Sequence, residues 1–271
     1  MMEGSARSGH QSSGTRDCRR MIAIITDVHA NLPALEAVLA AIDALGCDGI
    51  VHSGDAIGIG PFPAETLRRL LDLPRCRFVM GNHDAWFAHG LPQIRPAWMS
   101  AGEEAHHRWV HAQLERCNPA LRETVSAWPL VLDDVPGSAP DTFRIRYQHY
   151  GLVAGGEGFA SIVADPTGAD LDRIFLPTTM GPGPDVVFYG HHHPASDLTG
   201  SGGTRYINPG ALGCSHDALA RFAVLHLDAD GSWSVTTHSA PYDRDAVLRA
   251  YEDRDVPERN LIRAAFFGVA R

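Results

Sequence analysis

Four short apolar runs, each closing on a cluster of polar residues, limit what this chain can fold into. Residues 22–26 run into Asp27-Val28-His29, and residues 50–53 into Gly54-Asp55. Residues 78–80 run into Gly81-Asn82-His83-Asp84, and residues 186–189 into Gly190-His191-His192-His193. Runs of this length without polar alternation predict strands covered on both faces, and in such sheets ligands collect beyond the carboxyl ends of the strands. One pocket is therefore expected to receive all four ends. Its carboxylates, imidazoles and single amide form a mixed oxygen and nitrogen donor set, which suits transition-type divalent ions better than calcium.

The segments between these runs predict an α/β fold. Leu35, Val38, Leu39 and Ile42 recur at helical spacing, with Pro33 suited to the first turn and Gly46 to the stop, so the opening reads as a βαβ unit. A Gly/Pro loop over 58–63 precedes a second helix at 64–71. From 85 to about 141 the character changes to a helical insertion, with helices near 99–115 and 119–127, expected to cap the strand ends. Trp86, Trp98, Trp109 and Trp128 all fall there and are expected to pack the cap on the core. Residues 143–147 alternate as a partly exposed strand and lead to His149. The glycine-rich stretch 151–158 lacks the spacing of a dinucleotide or Walker fingerprint and is given no phosphate role. A short helix at 170–175, a hairpin of 222–227 with 233–237, and closing helices at 243–252 and 258–267 complete the expectation.

Composition narrows the class. A hydrophobic fraction of 44% in 271 residues supports one large domain over 21–271, while residues 1–20 have almost no apolar side chains and read as a disordered extension. Met21 stands directly before the first strand as a candidate start. No apolar stretch has the length of a membrane span, so no membrane partner is expected. The five cysteines are odd in number and lack the close pairs of a zinc knuckle, which predicts reduced thiols and a cytoplasmic setting. A formal charge of −9 without a Lys/Arg block argues against nucleic acid as the main partner and leaves a small phosphate ester. Oligomeric state is not legible.

On a strand, residues two apart face the same way, so Asp27 and His29 are expected to hold one ion together if extended geometry persists past Thr26. His191 and His193 repeat that spacing. Asp55 has two oxygens and is suited to bridge, and Asn82 offers a neutral amide oxygen. Two divalent ions bring +4 and the two aspartates −2. The remainder is neutralised by a hydroxide and a phosphodiester oxygen, the ground state of two-metal hydrolysis.

Taken in order, Asp27-Val28-His29, Gly54-Asp55, Gly81-Asn82-His83-Asp84, His149 and Gly190-His191-His192-His193 resemble the calcineurin-like metallophosphoesterase superfamily. The following Asn208-Pro209-Gly210 resembles its small bacterial and archaeal phosphodiesterase branch. The resemblance implies a four-layer α/β/β/α sandwich of two mixed sheets. It also implies a first ion held by Asp27, His29, Asp55 and His193, and a second by Asp55, Asn82, His149 and His191. By the same resemblance His83 meets the substrate oxygens or leaving group, Asp84 orients it, and the ions are manganese, iron, zinc or nickel, manganese first. Departures are Ala30 and His192, where many relatives have glycine and threonine, and Tyr150, which follows His149 in place of glycine. The basic residue that follows the Gly-Asp motif in protein phosphatases is missing from residues 54–58. The expected activity is phosphodiester hydrolysis by a metal-bridging hydroxide. A dinucleoside polyphosphate hydrolase, a phosphatase and an inactive scaffold of the same fold are the alternatives. His52, His89, His106, His107, His111, His216, His226 and His238 are expected to be structural.

Overall fold

Strand β1 (Arg20–Ile25) is buried on both faces: Ile22 and Ile24 face one hydrophobic cluster, Ala23 and Ile25 another. That is why its sequence carries no polar alternation, and each fully buried isoleucine contributes about 1.5–3 kcal/mol over an exposed one. The structure is a computed structural model and describes residues 20–97, 99–136, 143–153, 158–175 and 183–269. Residues 1–19, Trp98 and residues 154–157 lie outside these. The first strand begins at Arg20, one residue inside the polar leader.

Around β1 lies a mixed sheet of β2 (Gly49–His52), β3 (Cys76–Phe78), β9 (Leu219–Leu227) and β10 (Trp233–Pro241), in the order β10-β9-β1-β2-β3. The pairs β1-β2 and β2-β3 are parallel, and the expected hairpin is the antiparallel pair β9-β10. A second mixed sheet runs β4-β5-β6-β8-β7, from β4 (Val131–Asp134), β5 (Ile145–Gln148), β6 (Val186–Phe188), β7 (Ser196–Thr199) and β8 (Arg205–Asn208). Ile22, Ile24, Val51 and Val79 meet Ile145, Tyr147, Phe188 and Ile207 between the sheets. Helix α6 (Gly168–Phe175) covers the outer face of the second sheet, where Leu171 and Phe175 pack with Val187, Tyr189 and Tyr206. On the outer face of the first lie α1 (Leu32–Leu45), α2 (Pro63–Leu71), α7 (Arg244–Asp253) and α8 (Arg259–Phe267). The layers are thus α/β/β/α, as expected.

Two local features shape the site. The Gly81-Asn82-His83-Asp84 stretch is the start of a helix, α3 (Asn82–His89), because Asp84 at the third position accepts the Gly81 N–H at 3.0 Å and caps the first turn. The helical segment after it brings the ring of His107 to 5.1 Å from that of His83, beside the strand ends. Helix α4 (Ala101–Cys117) packs on α2, α5 (Leu121–Ser126) packs on α3, and β4 at the end of the segment is an edge strand. Trp128 does pack on the core, stacked on Phe78 at 4.5 Å. Among the described residues, no helix is long and apolar enough to cross a membrane.

Candidate metal centre

Asp27, His29, Asp55 and His191 all stand in the left-handed region, with φ of 52°, 46°, 58° and 66°. Non-glycine residues avoid that region at a cost of about 1 kcal/mol each, so four at one site mark tight turns held by their surroundings. These turns replace the strand alternation expected for Asp27 and His29: β1 ends at Ile25, and the two side chains converge by reversal of the backbone. The hydrogen bonds Asp27 N–Gly54 O and His29 N–Asp55 O, both 3.0 Å, zip the two ligand-bearing loops together. Gly81 allows the third loop to approach, since a Cβ there would stand 2.8 Å from Asp55 Cγ.

The imidazole tautomers follow from their outer nitrogens. His149 Nδ1 lies 3.0 Å from the Ser53 carbonyl and His29 Nδ1 lies 3.3 Å from the Ile57 carbonyl. A carbonyl accepts only, so both rings donate from Nδ1 and, when neutral, aim an Nε2 lone pair inward. What those lone pairs face are further acceptors. His149 Nε2 is 3.2 Å from both Asp55 Oδ2 and Asn82 Oδ1. His29 Nε2 is 3.0 Å from His193 Nε2, 3.5 Å from Asp27 Oδ1 and 3.9 Å from Asp55 Oδ2. His193 Nε2 is 3.7 Å from Asp27 Oδ1. Buried acceptors facing acceptors need a proton or a cation between them, and such a donor set fits a metal. Asp55 Oδ2 is the atom common to both groups.

Titration behaviour without a metal reflects the same convergence. Burial opposes the charge on His149, but the Asp55 carboxylate and its hydrogen bond win and raise its pKa to about 9. Burial would also raise Asp27, yet its hydrogen bond to His29 and the neighbouring histidine charges pull it well below the carboxylate range. His191 and His193 are depressed to about 4, first by burial and then by like charges nearby.

All seven metal-ligand candidates, Asp27, His29, Asp55, Asn82, His149, His191 and His193, gather at this one place. Asp55, His149 and His191 offer atoms within 4.8 Å of one another. His191 also donates its backbone N–H to Asp27 at 3.1 Å. His83 lies at the rim with its Nε2 3.9 Å from Asp55 Oδ2. Asp84 is different: its two oxygens accept the backbone N–H groups of Asp55 (2.8 Å), Ala56 (3.0 Å) and Gly81 (3.0 Å). It secures loops, and among the described residues it makes no hydrogen bond to the His83 ring. Against His83 instead lie Trp86 and His107, at ring separations of 5.0 and 5.1 Å. Sequence reasoning also passed over Cys214, whose sulfur shares a 4.8 Å group with His29 and His193. The signal was its place four residues after Gly210, in a loop whose Leu212 and Gly213 N–H groups bond to the Thr26 and Asp27 carbonyls.

Residues 21–230 match the calcineurin-like phosphoesterase superfamily domain. The chain belongs to the calcineurin-like phosphoesterase superfamily. Within this superfamily of divalent-metal-dependent phosphoester hydrolases, the fold is similar to that of a metallophosphoesterase from Sphaerobacter thermophilus. The two are 25% identical with a TM-score of 0.63, covering 88% of this chain and 95% of that one. An archaeal phosphodiesterase is 15% identical with a TM-score of 0.41, over 80% of this chain and 99% of that one. A protein of Methanocaldococcus jannaschii is 46% identical over 66 residues, 24% of this chain, so the match spans only 27% of that relative's length. The α8 helix lies beyond the part of the chain that matches the superfamily domain.

Proposed function

We propose that the chain is a dinuclear metal-dependent phosphodiesterase. The observation that carries this reading is the convergence of two imidazole nitrogens on Asp55 Oδ2 from two sides, His149 Nε2 at 3.2 Å and His29 Nε2 at 3.9 Å. In this reading Asp27, His29, Asp55 and His193 hold one ion, and Asp55, Asn82, His149 and His191 hold the other. When bound, divalent ions there neutralise the phosphoester charge and acidify water. Manganese is the first candidate, with iron, zinc and nickel as alternatives.

The chain's own residues then position and donate. His83 lines the cavity beside the centre. Burial holds its pKa well below the usual range, so its ring is neutral at pH 7. Its Nδ1 is buried and has no partner, which favours the proton on Nε2, facing the cavity. A neutral imidazole so placed donates a hydrogen bond to a phosphoryl or leaving-group oxygen. Asp84 keeps Asp55 and Gly81 in register. Among the described residues, Arg221 is the only lysine or arginine lining the cavities at the centre, and Asp217 neutralises it at 2.6 Å. A singly charged diester therefore suits the site better than a dianionic monoester.

The test is metal analysis of the purified chain, followed by a hydrolysis screen with added manganese over phosphomonoesters, phosphodiesters, cyclic nucleotides and dinucleoside polyphosphates. Two ions per chain and a preference for diesters are expected. Absence of bound metal and of all turnover would favour an inactive scaffold, and a preference for monoesters would favour a phosphatase.

A further inference from the structure

Two cavities meet beside the histidine cluster. One, of about 330 Å³, is lined by Asp55, Asn82, His83 and His191–His193 together with Ile59, Ile162, Pro194 and Phe266. The other, of about 830 Å³, shares His193, Pro194 and Phe266 and continues to His216 and Arg221. The space at the centre therefore extends past the Phe266 ring, and its size suits a small organic ligand.

Phe266 is supplied by α8, outside the part of the chain that matches the superfamily domain. The helix is firmly docked, so the ring is a fixed surface. Ile262 and Phe267 are buried, Gly268 closes the helix with its N–H on the Arg263 carbonyl, and Arg244 bonds to the Phe267 carbonyl. His216 donates from Nε2 to the Ala265 carbonyl at 3.2 Å, tying the helix end to the cavity wall. The Phe266 ring stands 5.6 Å from that of His193 and remains partly exposed, and Ile162 on the same cavity is 47% exposed. A polar centre is thus bordered by wet apolar surface. Among the described residues, no unpaired lysine or arginine answers a second negative charge there, since Arg221 is bound by Asp217, by Ser215 Oγ at 3.1 Å and by the Leu219 carbonyl at 3.0 Å.

We propose that Phe266 is the platform of a subsite for a flat π ring, so that the substrate class is phosphodiesters with an aryl or nucleoside substituent. The inference rests on the phosphodiesterase reading above. Flat rings stack on an aromatic face whatever their hydrogen-bonding edge, and loss of one such stack to alanine corresponds to roughly 5- to 150-fold.

The experiment uses the manganese-loaded full chain and three esters: methyl phenyl phosphate, the methyl ester of thymidine 5′-phosphate, and methyl isobutyl phosphate. Methyl is too small to stack, so only the second group tests the subsite. Turnover is followed by chromatography of quenched samples for wild type, Phe266→Ala and Phe266→Trp, with metal content measured on each. The ratio of kcat/KM for aromatic over isobutyl ester is expected to fall roughly 5- to 150-fold in Phe266→Ala, chiefly through KM, and to persist in Phe266→Trp. A fall for one aromatic ester alone assigns the subsite to nucleosides or to aryl groups. An unchanged ratio with diester turnover intact overturns the subsite and leaves the phosphodiesterase reading standing. If no ester turns over, that reading fails, and calorimetric titration of the same intact esters decides the subsite. Selective weakening of the aromatic esters by Phe266→Ala then supports it, and equal affinities overturn it.

Discussion

Gly58 lies against the ring of His83 so closely that a Cβ on it would stand 2.7 Å from His83 Cγ and closer still to Nδ1. Gly58 also has φ of +87°, a conformation that side chains resist. Gly58→Ala is therefore expected to displace the His83 ring while leaving every proposed metal ligand in place. A misplacement of about 1 Å costs up to roughly 10²-fold in rate. Metal content by elemental analysis should stay at the wild-type value while kcat on diesters falls by that order. An unchanged kcat would show that His83 does not act on the substrate.

Asp84 gives a second test, because its carboxylate ties the Asp55 loop to the start of α3 through three backbone N–H groups. In Asp84→Asn one oxygen becomes an amide donor facing other donors, and a buried unsatisfied pair costs about 2 kcal/mol. Urea unfolding should register a loss of that size, and metal affinity should weaken as Asp55 shifts. The dependence of rate on leaving group should be that of wild type. If the variant instead keeps its stability and changes only its leaving-group dependence, Asp84 belongs to the chemistry.

Cys214 sits with its sulfur within 4.8 Å of the ligand nitrogens of His29 and His193, in a loop fixed by Ala211 N–His193 O at 2.9 Å and Gly213 N–Asp27 O at 2.9 Å. A sulfur donor would favour thiophilic ions at that position. Cobalt-loaded wild type should therefore carry a sulfur-to-cobalt charge-transfer band in the near ultraviolet. In Cys214→Ser the band should vanish with cobalt content retained. Identical spectra would reduce Cys214 to a packing residue.

Metal-free protein should lose stability in acid through its buried neutral histidines. Burial, followed by the charge of neighbouring histidines, depresses His107 to about 3, and its Nε2 has no partner. The unfolded chain protonates this histidine below about 6.5 and the folded chain does not, so stability is present above pH 6.5 and is lost as pH falls towards 3. At pH 5 the gap of 1.5 units amounts to about 2 kcal/mol. Unfolding free energies from urea titration of wild type and His107→Phe should diverge by that amount between pH 7.5 and 5, with the variant less acid-sensitive. Parallel pH profiles would contradict the depressed pKa.

Sequence alone determined the strands that lead into the functional clusters, though not the edge strands β4 and β7, because a strand buried on both faces must be a short run of apolar residues and its functional cluster follows at once in the chain. It also placed Asp27, Asp55 and His191 at one site, while the α/β/β/α class and the place of His149 there came from the resemblance of the ordered motifs to the superfamily. Tertiary structure decided how they meet. The left-handed turns at Asp27, His29, Asp55 and His191 are set by hydrogen bonds between loops, and the tautomer of His149 by a carbonyl 96 residues away in sequence. The loop-binding role of Asp84, the nearness of Cys214 to His29 and the placing of Phe266 against His193 likewise depend on contacts between segments distant along the chain. Periodicity and local motifs carry no information on such contacts, since they reflect the energetics of neighbouring residues, whereas these geometries arise only when separate elements pack.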